Sequence, residues 1–130
     1  MASQQRPLSP HLQVYRWQVQ MVTSILHRAT GLFLAFGSLL IAASLLALML
    51  GPQHWNCVLA AAGSWFGMAF LFAWTWCFAY HLCNGIRHVV QDFAIGFAKP
   101  TFIRNSWLSL VGSAVITAVV WGYVLVGGGA

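Results

Sequence analysis

Charged side chains are scarce in this sequence of 130 residues, and acidic ones are almost absent. Six Lys and Arg residues and one acid, Asp92, make up 5% of the chain, against about 25% in a typical soluble domain. A soluble protein of this size needs a charged shell, and a nucleic-acid-binding module needs a basic face that these six residues do not form. The composition therefore argues against soluble, disordered and nucleic-acid-binding classes and indicates a protein embedded in the lipid bilayer.

Several motifs that carry chemistry are also missing. One acidic side chain cannot form the carboxylate pair of a general acid–base site. The cysteines form neither CxxC nor CxxCH, which argues against a covalently attached c-type haem and against a zinc site built from thiols alone. We interpret Cys57, Cys77 and Cys83 as small apolar side chains that fill space in membrane helices.

Long apolar runs dominate what remains. Residues 29–86 contain no Asp, Glu, Lys or Arg. This run is long enough to cross a membrane twice, with roughly 20 residues in each span. The stretch from Gly51 to Asn56 interrupts this run with helix-breaking and polar residues, and a third charge-free run follows. We predict an all-α membrane protein in a single domain, residues 1–130, with three transmembrane helices at about 29–50, 64–86 and 106–126.

The distribution of basic residues predicts how these helices cross the membrane. Basic residues favour the cytoplasmic side of short flanking segments, and here they occur only before the first span and between the second and third: Arg6, Arg16, Arg28, Arg87, Lys99 and Arg104. The N-terminus is therefore predicted to be cytoplasmic and the C-terminus periplasmic. Residues 1–28 are predicted to be a short interfacial lead-in that Pro7 and Pro10 keep irregular at first. With no room for a transit peptide ahead of Arg6, we expect a bacterial inner membrane rather than a mitochondrial one.

Two histidines and a glycine share one face of the second span. His81, Gly85 and His88 are spaced i, i+4 and i+7, and polar side chains at membrane depth are functional candidates. A deep imidazole can ligate iron, Gly85 would let a flat macrocycle approach the backbone, and His88 would reach an acidic substituent at the interface. In the alternative, His81 only bonds a neighbouring helix and Gly85 is a packing notch. Asp92 either neutralises Arg87, orients His88 or is simply solvated.

A second polar stripe lies where the first span enters the membrane. Ser24, His27, Arg28 and Gly31 are spaced i, i+3, i+4 and i+7. Ser24 and Arg28 can donate hydrogen bonds to the carbonyl of a lipophilic ligand or to carboxylates below the interface. In the alternative, Arg28 extends to the lipid headgroups, His27 is solvated and Ser24 bonds a carbonyl of its own helix. Both stripes adjoin the basic side of the membrane, which favours one shared site.

Three segments together resemble a known family. The sequence is similar to the cytochrome b anchor subunit of succinate dehydrogenase, respiratory complex II, and the similarity extends over nearly the whole chain. Each motif is weak alone, and their combination and spacing are specific. The matching segments are Arg6-Pro7-Leu8-Ser9-Pro10-His11-Leu12, Ser24-Ile25-Leu26-His27-Arg28-Ala29-Thr30-Gly31, and His81-Leu82-Cys83-Asn84-Gly85-Ile86-Arg87-His88 with Asp92.

This resemblance implies a role for each matched residue. His81 matches the axial ligand of a haem b iron, whose other ligand comes from a second three-helix anchor subunit, so that this chain is half of a heterodimeric helix bundle. His88, His27 and Arg28 match positions near the haem propionates, and Ser24 and Arg28 match positions that bind ubiquinone. The implied partners also include an iron–sulfur subunit and a flavoprotein subunit. Two alternatives remain: a structural anchor that holds no haem and, less favoured, a small channel or transporter subunit.

Overall fold

The computed structural model describes residues 16–128, and these residues form four α-helices and no strands. Three of the helices are long and apolar enough to cross a membrane, which confirms the predicted all-α fold with three candidate spans. The helices are α1 (Val19–Leu50), α2 (Pro52–Gly63), α3 (Trp65–Asp92) and α4 (Lys99–Gly127).

Helix α1 begins before the start of the predicted first span. Its first residue is Val19, whereas the predicted span starts at about residue 29. The prediction used Arg28 as a boundary, but residues 19–28 contain neither Pro nor Gly, so nothing in them interrupts a helix. Residues 19–28 of the predicted lead-in are therefore helical. Its first 15 residues, which include Pro7 and Pro10, lie outside the described part of the chain, and its interfacial position stays a prediction.

The connection after α1 contains a short helix that the sequence analysis did not predict. Gly51 has a φ of 118°, a conformation that favours glycine, and it lets the chain turn sharply after Leu50. Pro52 then begins the short helix α2, where its missing N–H is no loss. Helix α2 is uncharged and has no buried residue, and it packs against both α1 and α3. Ser64 ends it and caps α3, since its hydroxyl accepts a hydrogen bond from the Gly67 amide at 3.1 Å.

The interior of the three-helix bundle is mostly polar. Apart from Cys77, Ala79 and Tyr80, the buried side chains are polar or charged, while large apolar side chains cover the outside. Small polar residues let membrane helices approach closely, and most of these hydroxyls bond carbonyl oxygens of their own helix. The buried polar residues are Thr23, Thr30, Asn84, Arg87, Gln91, Ser106, Ser109, Ser113 and Thr117.

Helix α3 is the central element, because it packs against α1 along one side and α4 along another. This position matters for function, because α3 carries His81 and His88 and the neighbouring helix α1 carries Ser24, His27 and Arg28. Further along α1, Gly37 lies against α3, and a Cβ atom there would overlap the indole ring of Trp74.

Candidate functional site

Three histidines from two helices meet between α1 and α3. The rings of His27 and His81 are stacked, with their centroids 3.9 Å apart and their planes 10° from parallel. His88, about two turns further along α3 than His81, also approaches His27, with a distance of 5.2 Å between the ring centroids. The structure thus brings His27, His81 and His88 together, and we call these three residues the histidine cluster.

The ring of His81 is oriented by two groups on α1. Its Nδ1 atom lies 3.2 Å from the carbonyl oxygen of His27 and 3.3 Å from the hydroxyl of Thr30. Thr30 is held in turn by its own hydrogen bond to the carbonyl oxygen of Leu26, at 2.7 Å. Because a carbonyl oxygen can only accept, the His27 contact assigns the ring proton to Nδ1. The Nε2 atom then keeps its lone pair and forms no hydrogen bond with any residue in 16–128.

This arrangement is typical of a histidine that ligates a metal. Such a histidine donates its second ring N–H to a backbone carbonyl or similar acceptor, which fixes the tautomer and the ring orientation. Within residues 16–128, no group of three or more His, Cys, Asp or Glu side chains could hold a metal ion alone. His81 would therefore hold a metal only together with ligands from elsewhere, as in a haem.

Gly31 and Gly85 leave room around the histidine cluster. A Cβ atom at Gly31 would lie 3.0 Å from Cε1 of His81, which is too close without a shift of the imidazole. Gly85 lies beside His27 and helps to line a groove of about 410 Å³. All residues of this groove, the α3 groove, belong to α3: His81, Leu82, Gly85, Ile86, Val89 and Val90. A flat ligand there would need a second wall from another molecule.

Ser24 and Arg28 lie on α1 near the histidine cluster in sequence, but they do not contact it by hydrogen bonds. Ser24 is half-buried and Arg28 is exposed, and neither side chain forms a hydrogen bond with another described residue. The alternative in which Ser24 bonds a carbonyl of its own helix is therefore not what the structure shows. Both polar groups remain available to a ligand.

Arg87 is buried and makes no contact with Asp92. Its Nη1 atom donates to the hydroxyls of Thr23, at 3.2 Å, and Ser106, at 2.8 Å, and the guanidinium lies over the ring of Phe102. Asp92 is exposed, so the interpretation that it neutralises Arg87 directly is wrong. Together Arg87, Thr23 and Ser106 join α3, α1 and α4, and we call them the arginine clasp.

Sequence reasoning missed the interior role of several residues, although a signal was present. Tyr80, Asn84, Arg87 and Gln91 recur at i, i+4, i+7 and i+11 in an otherwise apolar helix, which defines a buried polar stripe. The Tyr80 hydroxyl belongs to the same network, since it donates to the Thr23 carbonyl at 2.7 Å. Thr30, which orients His81, was noted only as part of a motif.

The fold and the site define a small helical membrane protein with a histidine cluster beside an open groove. A family profile described as succinate dehydrogenase/fumarate reductase transmembrane subunit matches residues 2–120. The chain belongs to this family, which confirms the resemblance drawn from the motifs.

Similarity to individual proteins supports this family assignment. The chain is 38% identical over 119 residues to a succinate dehydrogenase cytochrome b556 subunit of Paracoccus denitrificans, covering 89% of this chain and 92% of the relative. It is 34% identical over 116 residues to the protein of the same name from Rickettsia prowazekii, covering 89% and 90%. It is also 34% identical over 122 residues to the mitochondrial cytochrome b560 subunit of Mus musculus, covering 91% and 68%. Since relatives occur in bacteria and in mitochondria, the bacterial inner membrane stays a prediction.

Proposed function

We propose that this chain is the haem b-binding anchor subunit of a succinate:quinone oxidoreductase and contributes to the site where quinone is reduced. The orientation of His81 carries this proposal, because its Nδ1 is committed to α1 and its Nε2 is free. The cytochrome b names of the relatives support the cofactor. His81 would hold the haem iron through Nε2, together with a ligand from a second three-helix anchor subunit.

The remaining members of the site bind the polar edge of the cofactor. His27 and His88 lie within reach of one another at the basic end of α3, and Arg28 is exposed one residue after His27. Imidazole and guanidinium groups are suitable donors for carboxylates. We assign His27, His88 and Arg28 to the haem propionates. When bound, haem b supplies one-electron storage beside the quinone, at a potential set by its ligands and apolar surroundings.

Ser24 and Arg28 bind the quinone. Their side chains are one turn apart on α1 and make no hydrogen bond within residues 16–128, so both can donate to a quinone carbonyl. Donors fixed before the reaction stabilise the negative charge that develops on this oxygen as electrons arrive. A guanidinium presents several N–H donors in a planar fork, which suits Arg28 to this role.

The other steps belong to partner subunits. A flavoprotein subunit oxidises succinate, and an iron–sulfur subunit passes the electrons to the anchor. We assign these steps to partners because this chain has a single acidic residue and no succinate chemistry of its own. These subunits dock on the basic, cytoplasmic side, where rim charges steer assembly. The second anchor subunit provides the missing wall of the α3 groove. The lipid bilayer, in our proposal that of a bacterial inner membrane, surrounds the apolar exterior.

The test is a reduced-minus-oxidised visible spectrum of the purified complex, first with succinate and then with dithionite. We expect a low-spin b-type signal that His81→Ala abolishes or alters, because the iron loses an axial ligand. His54→Ala is the matched control, since His54 is exposed on α2. An unchanged Soret band in His81→Ala would refute the ligand assignment. No haem in the wild-type complex, with succinate–quinone activity intact, would favour the haem-free anchor instead.

A further inference from the structure

Arg87 is a buried positive charge without an acidic partner. It is 7% exposed, and both of its hydrogen-bond acceptors are neutral hydroxyls. Its Nε atom is buried and has no hydrogen-bond partner within residues 16–128. The only acidic side chain of the chain, Asp92, is exposed. Burying an unpaired charge is costly, and ionisable side chains inside membrane proteins usually serve a function.

The arginine clasp adjoins the proposed quinone residues without lining the α3 groove. Thr23, which accepts a hydrogen bond from Arg87, immediately precedes Ser24. The backbone of Thr23 is held as well, because its carbonyl oxygen accepts from the Tyr80 hydroxyl. His27 lies four residues, about 6 Å, further along α1. The charge of Arg87 therefore lies close to the histidine cluster, on a different face of α3 from His81 and His88.

We propose that Arg87 is a positioning residue for quinone reduction: its buried charge holds α1 at Thr23, beside Ser24, and favours the arrival of electrons at the adjacent site. This inference rests on the proposed function. A charge in a low-dielectric interior acts over longer distances than a hydrogen bond does, so Arg87 stabilises added negative charge without touching the ligand. The hydroxyl partners keep the guanidinium fixed without cancelling its charge, whereas a carboxylate partner would cancel it.

The first experiment removes or keeps the charge in the purified complex. Arg87→Met is expected to shift the haem reduction potential to more negative values and to lower kcat for quinone reduction about tenfold. Succinate oxidation with an artificial acceptor should be unaffected. Arg87→Lys retains the charge and should keep the potential close to that of the wild type, although it loses the planar stacking on Phe102. Equal potentials in Arg87→Met and wild type would overturn the proposal.

The second experiment leaves Arg87 in place, in case its removal prevents folding. Ser106→Asp places a carboxylate next to the guanidinium, and Ser106→Asn is the uncharged control of nearly the same shape. The Asp variant should show a more negative haem potential and a lower kcat for quinone reduction than the Asn variant. No difference between these two variants would refute the role of the charge. If the proposed function is wrong, the wild-type spectrum will show no b-type haem signal. The kcat values of the Ser106→Asp and Ser106→Asn variants would still test the role of Arg87 in that case.

Discussion

At the scale of single residues, the site depends on how α1 holds one imidazole. His81 is fixed by the carbonyl oxygen of His27 and the hydroxyl of Thr30, which are three residues apart and lie on the same side of α1. Stacking on His27 restrains the plane of the ring as well. The Nε2 atom of His81 is therefore oriented before any ligand binds, and for the proposed haem this orientation would lower the entropic cost of binding.

A substitution at Gly31 tests directly whether this orientation of the His81 ring matters. Gly31→Ala would place a methyl group 3.0 Å from Cε1 of His81, and overpacking of this kind costs about 1–3 kcal/mol. We expect a lower haem content in the purified complex and an altered low-spin electron paramagnetic resonance signal. Gly122→Ala is the control, because a Cβ atom there meets nothing within 4 Å. Full haem content with an unchanged signal in Gly31→Ala would show that the contact is unimportant.

Substitutions of Ser24 and Arg28 test the proposed role of these two residues in binding quinone. Ser24→Ala and Arg28→Leu should each lower quinone reduction, by about 10²-fold if the lost donor faces the developing charge. Succinate oxidation with an artificial acceptor should remain intact, because that reaction occurs in another subunit. Arg16→Leu makes the same change at an exposed basic residue outside the helix. Parallel loss of both activities would point to defective assembly and contradict the assignment.

At the scale of helices, the close approach of α1 and α3 depends on Gly37. This residue is buried, and even one added carbon would overlap the Trp74 indole. Gly37→Ala should destabilise the complex by about 1–3 kcal/mol, measured as a lower Tm. Gly63→Ala is the control, since a Cβ atom at Gly63 has no neighbour within 4 Å.

A double variant shows whether this effect comes from the contact itself. Combining Gly37→Ala with Trp74→Phe removes part of the indole ring, so the two changes should compensate for each other. Strictly additive losses of Tm would argue against direct packing of these two residues.

The sequence predicts the presence of the three long helices better than it predicts where they end or which helices pack against each other. Three charge-free runs are enough to predict three spanning helices, but the start of α1 and the helical state of residues 52–63 are not encoded in charge. The periodicity of α3 separates the His81 face from the Arg87 face. It does not say which helix covers each face, because that depends on how α1 and α4 pack around α3. The hydroxyl partners of Arg87 are therefore visible only in three dimensions.

At the scale of the whole molecule, polarity is arranged opposite to that of a soluble protein. Hydroxyls, amides and one guanidinium fill the interior, and leucine, valine, isoleucine and phenylalanine side chains cover the exterior. Lipid is as apolar as these side chains, so the helices associate through close packing and hydrogen bonds rather than through the hydrophobic effect. Within residues 16–128, the α3 groove lies on this exterior and is lined by α3 alone.

The apolar exterior also determines how the stability of the bundle changes with temperature. When α1, α3 and α4 separate inside a bilayer, their outer side chains remain in lipid, and little apolar surface enters water. The large heat-capacity change of unfolding in soluble proteins comes from hydration of such surface. For this bundle the heat-capacity change of helix separation is small, so its free energy varies almost linearly with temperature. Cooling does not weaken the association in the way that leads soluble domains to cold denaturation.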